Sequence, residues 1–237
     1  MKKITTVLFD LDGTLIRMDQ DKFIELYFSS IIEKLSALGY DARLIYASLS
    51  DAVRATLKND GSCTNEERFW SAFLSAAPGL REEVKDILDD YYSTDFVRVI
   101  DATCKKYPRA REVLDTVGRL GLRPILATNP LFPIIATYRR MELGGLFPDD
   151  FEYITAYENS SFCKPNPDYF RELVDKLGIS PDECVMIGND TRDDFSAHAL
   201  GIPVFILTDC LINKSDVDLS EHPHGSFDEL IAYLESL

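Results

Sequence analysis

From Ile4 to Phe9 the chain reads ITTVLF, a short apolar and β-branched run of the kind found in strands buried on both faces. No convincing strand follows between about Arg17 and about Ile100. From Tyr107 onward, strand and helix patterns alternate to the end of the chain. This interruption constrains the fold more than any other feature. Strands separated by helices of this length require a parallel sheet with right-handed crossovers and helices packed on both faces. The long helical stretch after the first strand must then be an insert. The expected fold class is α/β, a Rossmann-like parallel sheet with an inserted all-helical domain. The expected borders are 1–17 and 101–237 for the α/β core and 18–100 for the insert.

Within the insert, Phe23, Tyr27, Ile31, Leu35 and Leu38 recur at helical spacing over Asp21–Leu38, and Gly39 follows as a stop. Asp41–Leu57, Thr64–Ala77 and Leu80–Tyr92 continue the helical pattern, with Thr64 and Glu67 forming a capping box. The aromatics Phe23, Tyr27, Phe28, Phe69, Trp70 and Phe73 are expected to pack the insert's own core. In the second half, helices are expected at Arg109–Leu120, Pro133–Arg140, Asp168–Leu177, Arg192–Leu200 and Phe227–Ser236, the last opened by Ser226 and Glu229. Strands are expected at Arg123–Thr128, Tyr153–Ala156, Cys184–Ile187 and Val204–Leu207. Polar residues stand at the ends of these strands: Asp10 and Asp12, Thr128 and Asn129, Asn189 and Asp190. Ligands of open parallel sheets gather beyond the carboxyl ends of the strands.

The charge balance excludes some partners. With 25 basic and 40 acidic residues the formal net charge is −15, and basic residues cluster no further than pairs such as Lys105-Lys106 and Arg139-Arg140. Nucleic acid and acidic membrane surfaces need a positive face, so neither is an expected partner. Any phosphate site must be made locally, by a metal ion, a lysine or helix N-termini. The five cysteines are odd in number and widely spaced, which fits reduced thiols in a cytoplasmic protein. The N-terminal apolar run is cut by Asp10 too soon for a signal peptide or a membrane span. The three histidines have no metal-ligand spacing, and surface roles are expected for them.

The stretch DLDGTL, Asp10 to Leu15, sets two carboxylates straight after the buried strand. Two like charges about 4 Å apart repel by roughly 1 kcal/mol in water and about 4 kcal/mol at a protein surface, so a cation or a shared proton is expected beside them. A tight hairpin turn at Asp12-Gly13 is the plainer reading, but it leaves the upstream apolar run unexplained. Asp12, two residues beyond Asp10, is expected on the same side of an extended chain.

Four separated motifs, DLDGTL, TN (Thr128, Asn129), KPNP (Lys164 to Pro167) and GNDTRDD (Gly188 to Asp194), resemble those of the haloacid dehalogenase superfamily in content and order. The resemblance covers the first seventeen or so residues and everything from about Tyr107. The helical insert matches in position and class the cap that the family places between its first two motifs. The resemblance implies Asp10 as a nucleophile that forms an aspartyl phosphate. It implies Asp12 as the acid and base that serves the leaving oxygen and then the hydrolytic water. Gly13 lets the backbone come close to phosphate. The Thr128 hydroxyl and a backbone N–H, that of Asn129, are implied as phosphoryl ligands, and Lys164 as the cation offsetting the acids.

The resemblance further implies Mg²⁺, held by the Asp10 carboxylate, the Asp12 backbone carbonyl and the late acidic loop. There the family commonly shows Gly-Asp, whereas here Gly188 is followed by Asn189 and then Asp190. Either Asn189 binds through its amide oxygen with Asp190 supplying charge nearby, or Asp190 is the direct ligand, which this reading slightly prefers. Asp194 is then an outer residue or a ligand through water. The dehalogenases of the superfamily lack an aspartate at the Asp12 position, so phosphoryl transfer is the better expectation: a Mg²⁺-dependent phosphatase of a small phosphorylated metabolite. A phosphomutase would share every motif. A 2-haloacid dehalogenase and a phosphoaspartate receiver module are more distant alternatives.

Overall fold

Thr6, Val7, Leu8 and Phe9 are all shut off from solvent, as a strand covered on both faces requires. The computed structural model of the protein describes residues 3–76 and 83–237. In chain order its elements begin with β1 (Thr6–Phe9) and β2 (Arg17–Met18). Five helices follow: α1 (Gln20–Ala37), α2 (Ala42–Leu57), α3 (Asn65–Ala76), α4 (Glu83–Ser93) and α5 (Phe96–Thr103). Then come β3 (Cys104–Lys105), α6 (Pro108–Arg119), β4 (Arg123–Leu126), α7 (Ile134–Gly144), β5 (Tyr153–Ile154) and α8 (Asp168–Leu177). The chain closes with β6 (Cys184–Gly188), β7 (Val204–Leu207), β8 (His224–Gly225) and α9 (Phe227–Glu235).

Six strands form one sheet in the order β5-β4-β1-β6-β7-β8, and every neighbouring pair is parallel. The sheet is two-sided because side chains alternate along each strand. Val7 and Phe9 join a core cluster with Val113 and Val117 of α6 and Leu230 and Leu234 of α9, while Leu8 points the other way to Phe170, Leu173 and Val174 of α8. Register fixes the level of the strand ends: Phe9 sits beside Leu126 of β4 on one side and Ile187 of β6 on the other. The residues that follow these three therefore emerge together, on either side of the central strand.

Several short elements differ from the expectation. A strand does occur near Arg17: β2 pairs antiparallel with β3, Arg17 opposite Lys105 and Met18 opposite Cys104. Two-residue strands carry no readable period. The segment expected as a helix over Arg192–Leu200 is a 3-10 helix over Asp194–Leu200, because seven residues are too few to separate a period of 3.0 from one of 3.6. α5 and β8 were not expected at all. Ala77 and residues 80–82 of the two expected helices lie outside the described residues. Both expected capping boxes form: the Glu67 N–H donates to Thr64 Oγ1 at 3.2 Å and the Thr64 N–H to Glu67 Oε2 at 2.9 Å, and Glu229 accepts from the Ser226 N–H and hydroxyl at 2.6 and 2.7 Å.

The helices between β2 and β3 pack against the sheet's carboxyl end. Phe23 and Tyr27 of α1 place their rings 5.7 and 5.2 Å from that of Phe132, in the loop after β4. The start of α3 is tied to two loops of the α/β core. The Asn65 N–H donates to Ser160 O (2.8 Å) and its amide to Pro130 O and Phe162 O (both 3.2 Å). Gly61, at φ +86°, lies where any Cβ would strike the Phe162 ring, so only glycine allows this approach. No helix among the described residues is long and apolar enough to cross a membrane.

Candidate active site

Asp10 is the first residue beyond β1, and its N–H still belongs to the sheet, donating to Ile187 O at 2.9 Å. Its carboxylate is nearly buried. Oδ1 accepts from Lys164 Nζ at 3.2 Å and Oδ2 from the Thr14 hydroxyl at 3.3 Å. Lys164, 1% exposed, comes from the loop that leads into α8 and places its ammonium between Asp10 and Asp194, whose Oδ1 is 2.7 Å away. The rings of Tyr169 and Phe170, with centroids 5.8 and 5.9 Å from Nζ, line its apolar side. Burial penalises this ammonium, yet Asp194 and Asp10 hold its pKa above the ordinary lysine value. Burial pushes the Asp10 carboxyl up to about 7 against the pull of Lys164, with Asp194 and Asp12 adding to the rise.

The late loop is built around Asp194. Its Oδ2 accepts the backbone N–H groups of Asn189 and Asp190, both at 3.0 Å, which folds the loop back onto the start of the 3-10 helix. Gly188 makes this possible, since a Cβ there would lie 2.0 Å from Asp194 Oδ2. Asn189 is buried: its Oδ1 accepts from the Thr14 hydroxyl at 3.1 Å and its Nδ2 donates to Cys210 O at 2.8 Å. Thr14 thus touches both Asp10 and Asn189. A Cβ on Gly13, at φ +90°, would fall 2.3 Å from Asn189 Nδ2, so the missing side chain makes room for this amide. Asp190 turns elsewhere. Its Oδ1 accepts the N–H groups of Arg192 and Asp193 at 2.7 and 3.1 Å and closes a turn.

Thr128 follows β4, is buried, and anchors its carbonyl on the hydroxyls of Thr155 (2.7 Å) and Tyr169 (3.0 Å). Asn129 links the motifs, because its Nδ2 donates to Lys164 O at 3.3 Å and to Asp193 Oδ2 at 3.1 Å. Burial, with Asp190 adding, pushes the Asp193 carboxyl up to about 6.

Asp12 lies in the turn after β1, where Leu11 O accepts three successive N–H groups from Thr14, Leu15 and Ile16. Its backbone carbonyl accepts from Gln20 Nε2 at 3.2 Å. Its Oδ2 is ion-paired with Arg140 of α7, while its Oδ1 is buried and has no hydrogen-bond partner. Burial raises its carboxyl pKa, against Arg140 and Lys164. Arg140 went unrecognised in the sequence except as part of a basic pair. The available signal was position: it falls four residues after Ala136, on the buried stripe of α7.

The structure therefore gathers Asp10, Thr14, Lys164, Asn189 and Asp194 into one hydrogen-bonded group. Asp12 adjoins it through charge, and Asn129 through the Lys164 loop. Among the described residues no three His, Cys, Asp or Glu side chains form a ready-made metal cage. The oxygens of Asp10, Asn189 and the Asp12 backbone are hard donors, and with Asp194 and Asp12 the carboxylates exceed the cations Lys164 and Arg140. Such a donor set fits Mg²⁺, which binds few protein oxygens and keeps several waters.

The family model for the haloacid dehalogenase-like hydrolases matches residues 4–201. The chain belongs to that family. A phosphoglycolate phosphatase of Yersinia pseudotuberculosis is 26% identical over 209 residues, covering 87% of this chain and 82% of the relative. A glyceraldehyde 3-phosphate phosphatase of Methanocaldococcus jannaschii is 24% identical over 236 residues, covering 99% and 98%. Among solved structures, a phosphatase of the family from Thermococcus onnurineus superimposes with a TM-score of 0.58 at 20% identity, covering 98% of each chain. The haloacid dehalogenase-like hydrolase described here shares that fold, and the two relatives named above are phosphatases.

Proposed function

We propose that this hydrolase is a Mg²⁺-dependent phosphatase that releases phosphate from a small phosphorylated metabolite through an aspartyl phosphate on Asp10, with residues 18–100 acting as a cap over the site. The observation that carries the reading is the buried Asp10 carboxylate, held between Lys164 and Thr14 at the carboxyl end of the central strand. An aspartate nucleophile also serves attack on carbon, as in dehalogenation. The presence of Asp12, with a buried and unpartnered Oδ1, favours a reaction that needs a proton at the leaving oxygen.

In the first step Asp10 attacks phosphorus, the bond from phosphorus to the substrate oxygen breaks, and Asp12 gives that oxygen its proton. In the second, water attacks the aspartyl phosphate, Asp12 takes the water's proton, and Asp10 leaves as a free carboxylate. Lys164 offsets the charge gathered on the phosphoryl oxygens, and Thr128 and Asn129 orient them. The Asp10 carboxylate, the Asn189 amide oxygen and the Asp12 backbone carbonyl would hold Mg²⁺, which when bound supplies further charge neutralisation. The Thr14 bridge from Asp10 to Asn189 supports Asn189 as ligand over Asp190, whose Oδ1 is committed to its own turn. A cap seated over Asp10 keeps bulk water out of the first transfer.

The test is phosphate release from a panel of phosphorylated metabolites. Asp10→Asn is expected to lower turnover by at least ~10³-fold with the fold intact, as loss of a nucleophile does. Chelation with EDTA should abolish wild-type release and added Mg²⁺ restore it. An Asp10→Asn protein that keeps a few per cent of activity would refute the assignment.

A further inference from the structure

Arg140 is 1% exposed, in a molecule whose other arginines mostly reach solvent. A guanidinium cannot shed its charge, so burying it is costly unless it is held on several sides. It is so held. Nε donates to Ala136 O at 3.3 Å and Nη2 to Thr137 Oγ1 at 3.2 Å, which fixes the group against its own helix. The Phe132 ring covers it, with the centroid 4.8 Å from Cζ. Nη1 is left to reach across to Asp12 Oδ2.

This leaves the two oxygens of Asp12 unequal. Oδ2 faces an N–H that is always a donor, which favours negative charge on that oxygen and leaves Oδ1 as the better place for a proton. Oδ1 is buried with no partner. We propose that Arg140 is a positioning residue of the phosphoryl-transfer step: it clamps Oδ2 of Asp12 and so turns the unpartnered Oδ1 toward the oxygen between the substrate's phosphorus and carbon. The inference rests on the phosphatase reading, and adds to it a residue that none of the recognised motifs contains. Phe132 ties the device to the helical insert, because the ring that covers Arg140 also packs against Phe23 and Tyr27.

If Arg140 acts through Asp12, its loss slows the first transfer, which sets kcat/KM, only where the leaving oxygen needs a proton, whereas the later attack of water is common to every ester. The experiment compares kcat/KM for p-nitrophenyl phosphate, whose leaving group departs unprotonated, with an alkyl phosphate that the wild type hydrolyses. Arg140→Met is expected to lower kcat/KM for the alkyl ester by about 100-fold, within the range of a general-acid contribution, and for the nitrophenyl ester by less than about 5-fold. Arg140→Lys should recover part of the alkyl rate. Asp12→Asn should lower kcat/KM for the alkyl ester at least as far, and adding Arg140→Met to it should cost little more, since the two residues act as one unit. Circular dichroism and thermal melting show that each variant is folded, and Arg140→Lys carries the test if Arg140→Met is not. Equal falls for both esters, or a full further fall in the Asp12→Asn background, would overturn the inference alone. A wild type that releases phosphate from no ester overturns the phosphatase reading and takes this inference with it.

Discussion

On the sheet side of the site the side chains in contact are charged and buried: Lys164 between Asp10 and Asp194, and Arg140 against Asp12. On the helical side, contacts to the core among the described residues include neutral ones: Gln20 on the Asp12 carbonyl, Asn65 on the carbonyls of Pro130 and Phe162, and the rings of Phe23 and Tyr27 on Phe132. The difference is one of energy scale. A buried ion pair that loses one member leaves an uncompensated charge, which costs about 3–5 kcal/mol, whereas a neutral hydrogen bond contributes about 1 kcal/mol net. The sheet side is thus locked in one arrangement, and the helical side is held by weaker contacts, which the proposed role as a cap requires.

Substitutions on the two sides should separate accordingly. Lys164→Ala strands Asp10 and Asp194 together, and urea unfolding should find it less stable by about 3 kcal/mol or more; a loss under about 1 kcal/mol would erase the contrast. Asn65→Ala removes an amide that serves two core carbonyls and also accepts from Asn59 Nδ2 at 2.9 Å. It should cost about 1–3 kcal/mol and speed hydrogen exchange in residues 157–163, leaving exchange in β1 unchanged. Faster exchange throughout the sheet would mean that the dock and the sheet are one cooperative unit. Tyr27→Phe takes one hydroxyl from the 2.7 Å Tyr27–Tyr92 contact inside the helical layer. A loss of about 1 kcal/mol or less is expected from thermal melts, and a loss equal to that of Lys164→Ala would show charge and neutral contacts to be equivalent here.

Much of the sheet was legible because local pattern decides it. β1, β4, β6 and β7 are apolar runs with polar residues at their carboxyl ends, and parallel register sets Asp10 level with Ala127 and Gly188, so that Thr128 and Asn189 follow within one residue of it. The residues that escaped notice depend on partners far away in the chain. Arg140 is defined by Asp12, 128 positions earlier, and Gly188, though named in its motif, has its reason only in the carboxylate of Asp194 lying where its Cβ would be. Asp194 itself was expected at the periphery of the site, yet it is the acceptor that shapes the late loop and balances Lys164. β2 and β3 were illegible for a different reason, since each becomes a strand only by meeting the other.

That small ribbon has a practical consequence. Because Arg17 faces Lys105 and Met18 faces Cys104, the polypeptide leaves the α/β body and returns to it at a single spot. A foreign helical segment whose two ends lie equally close could be spliced in at that spot without disturbing a single rung of the main ladder. The α/β body and the helical insert are in this sense separable along the chain, with both crossings gathered at two residue pairs.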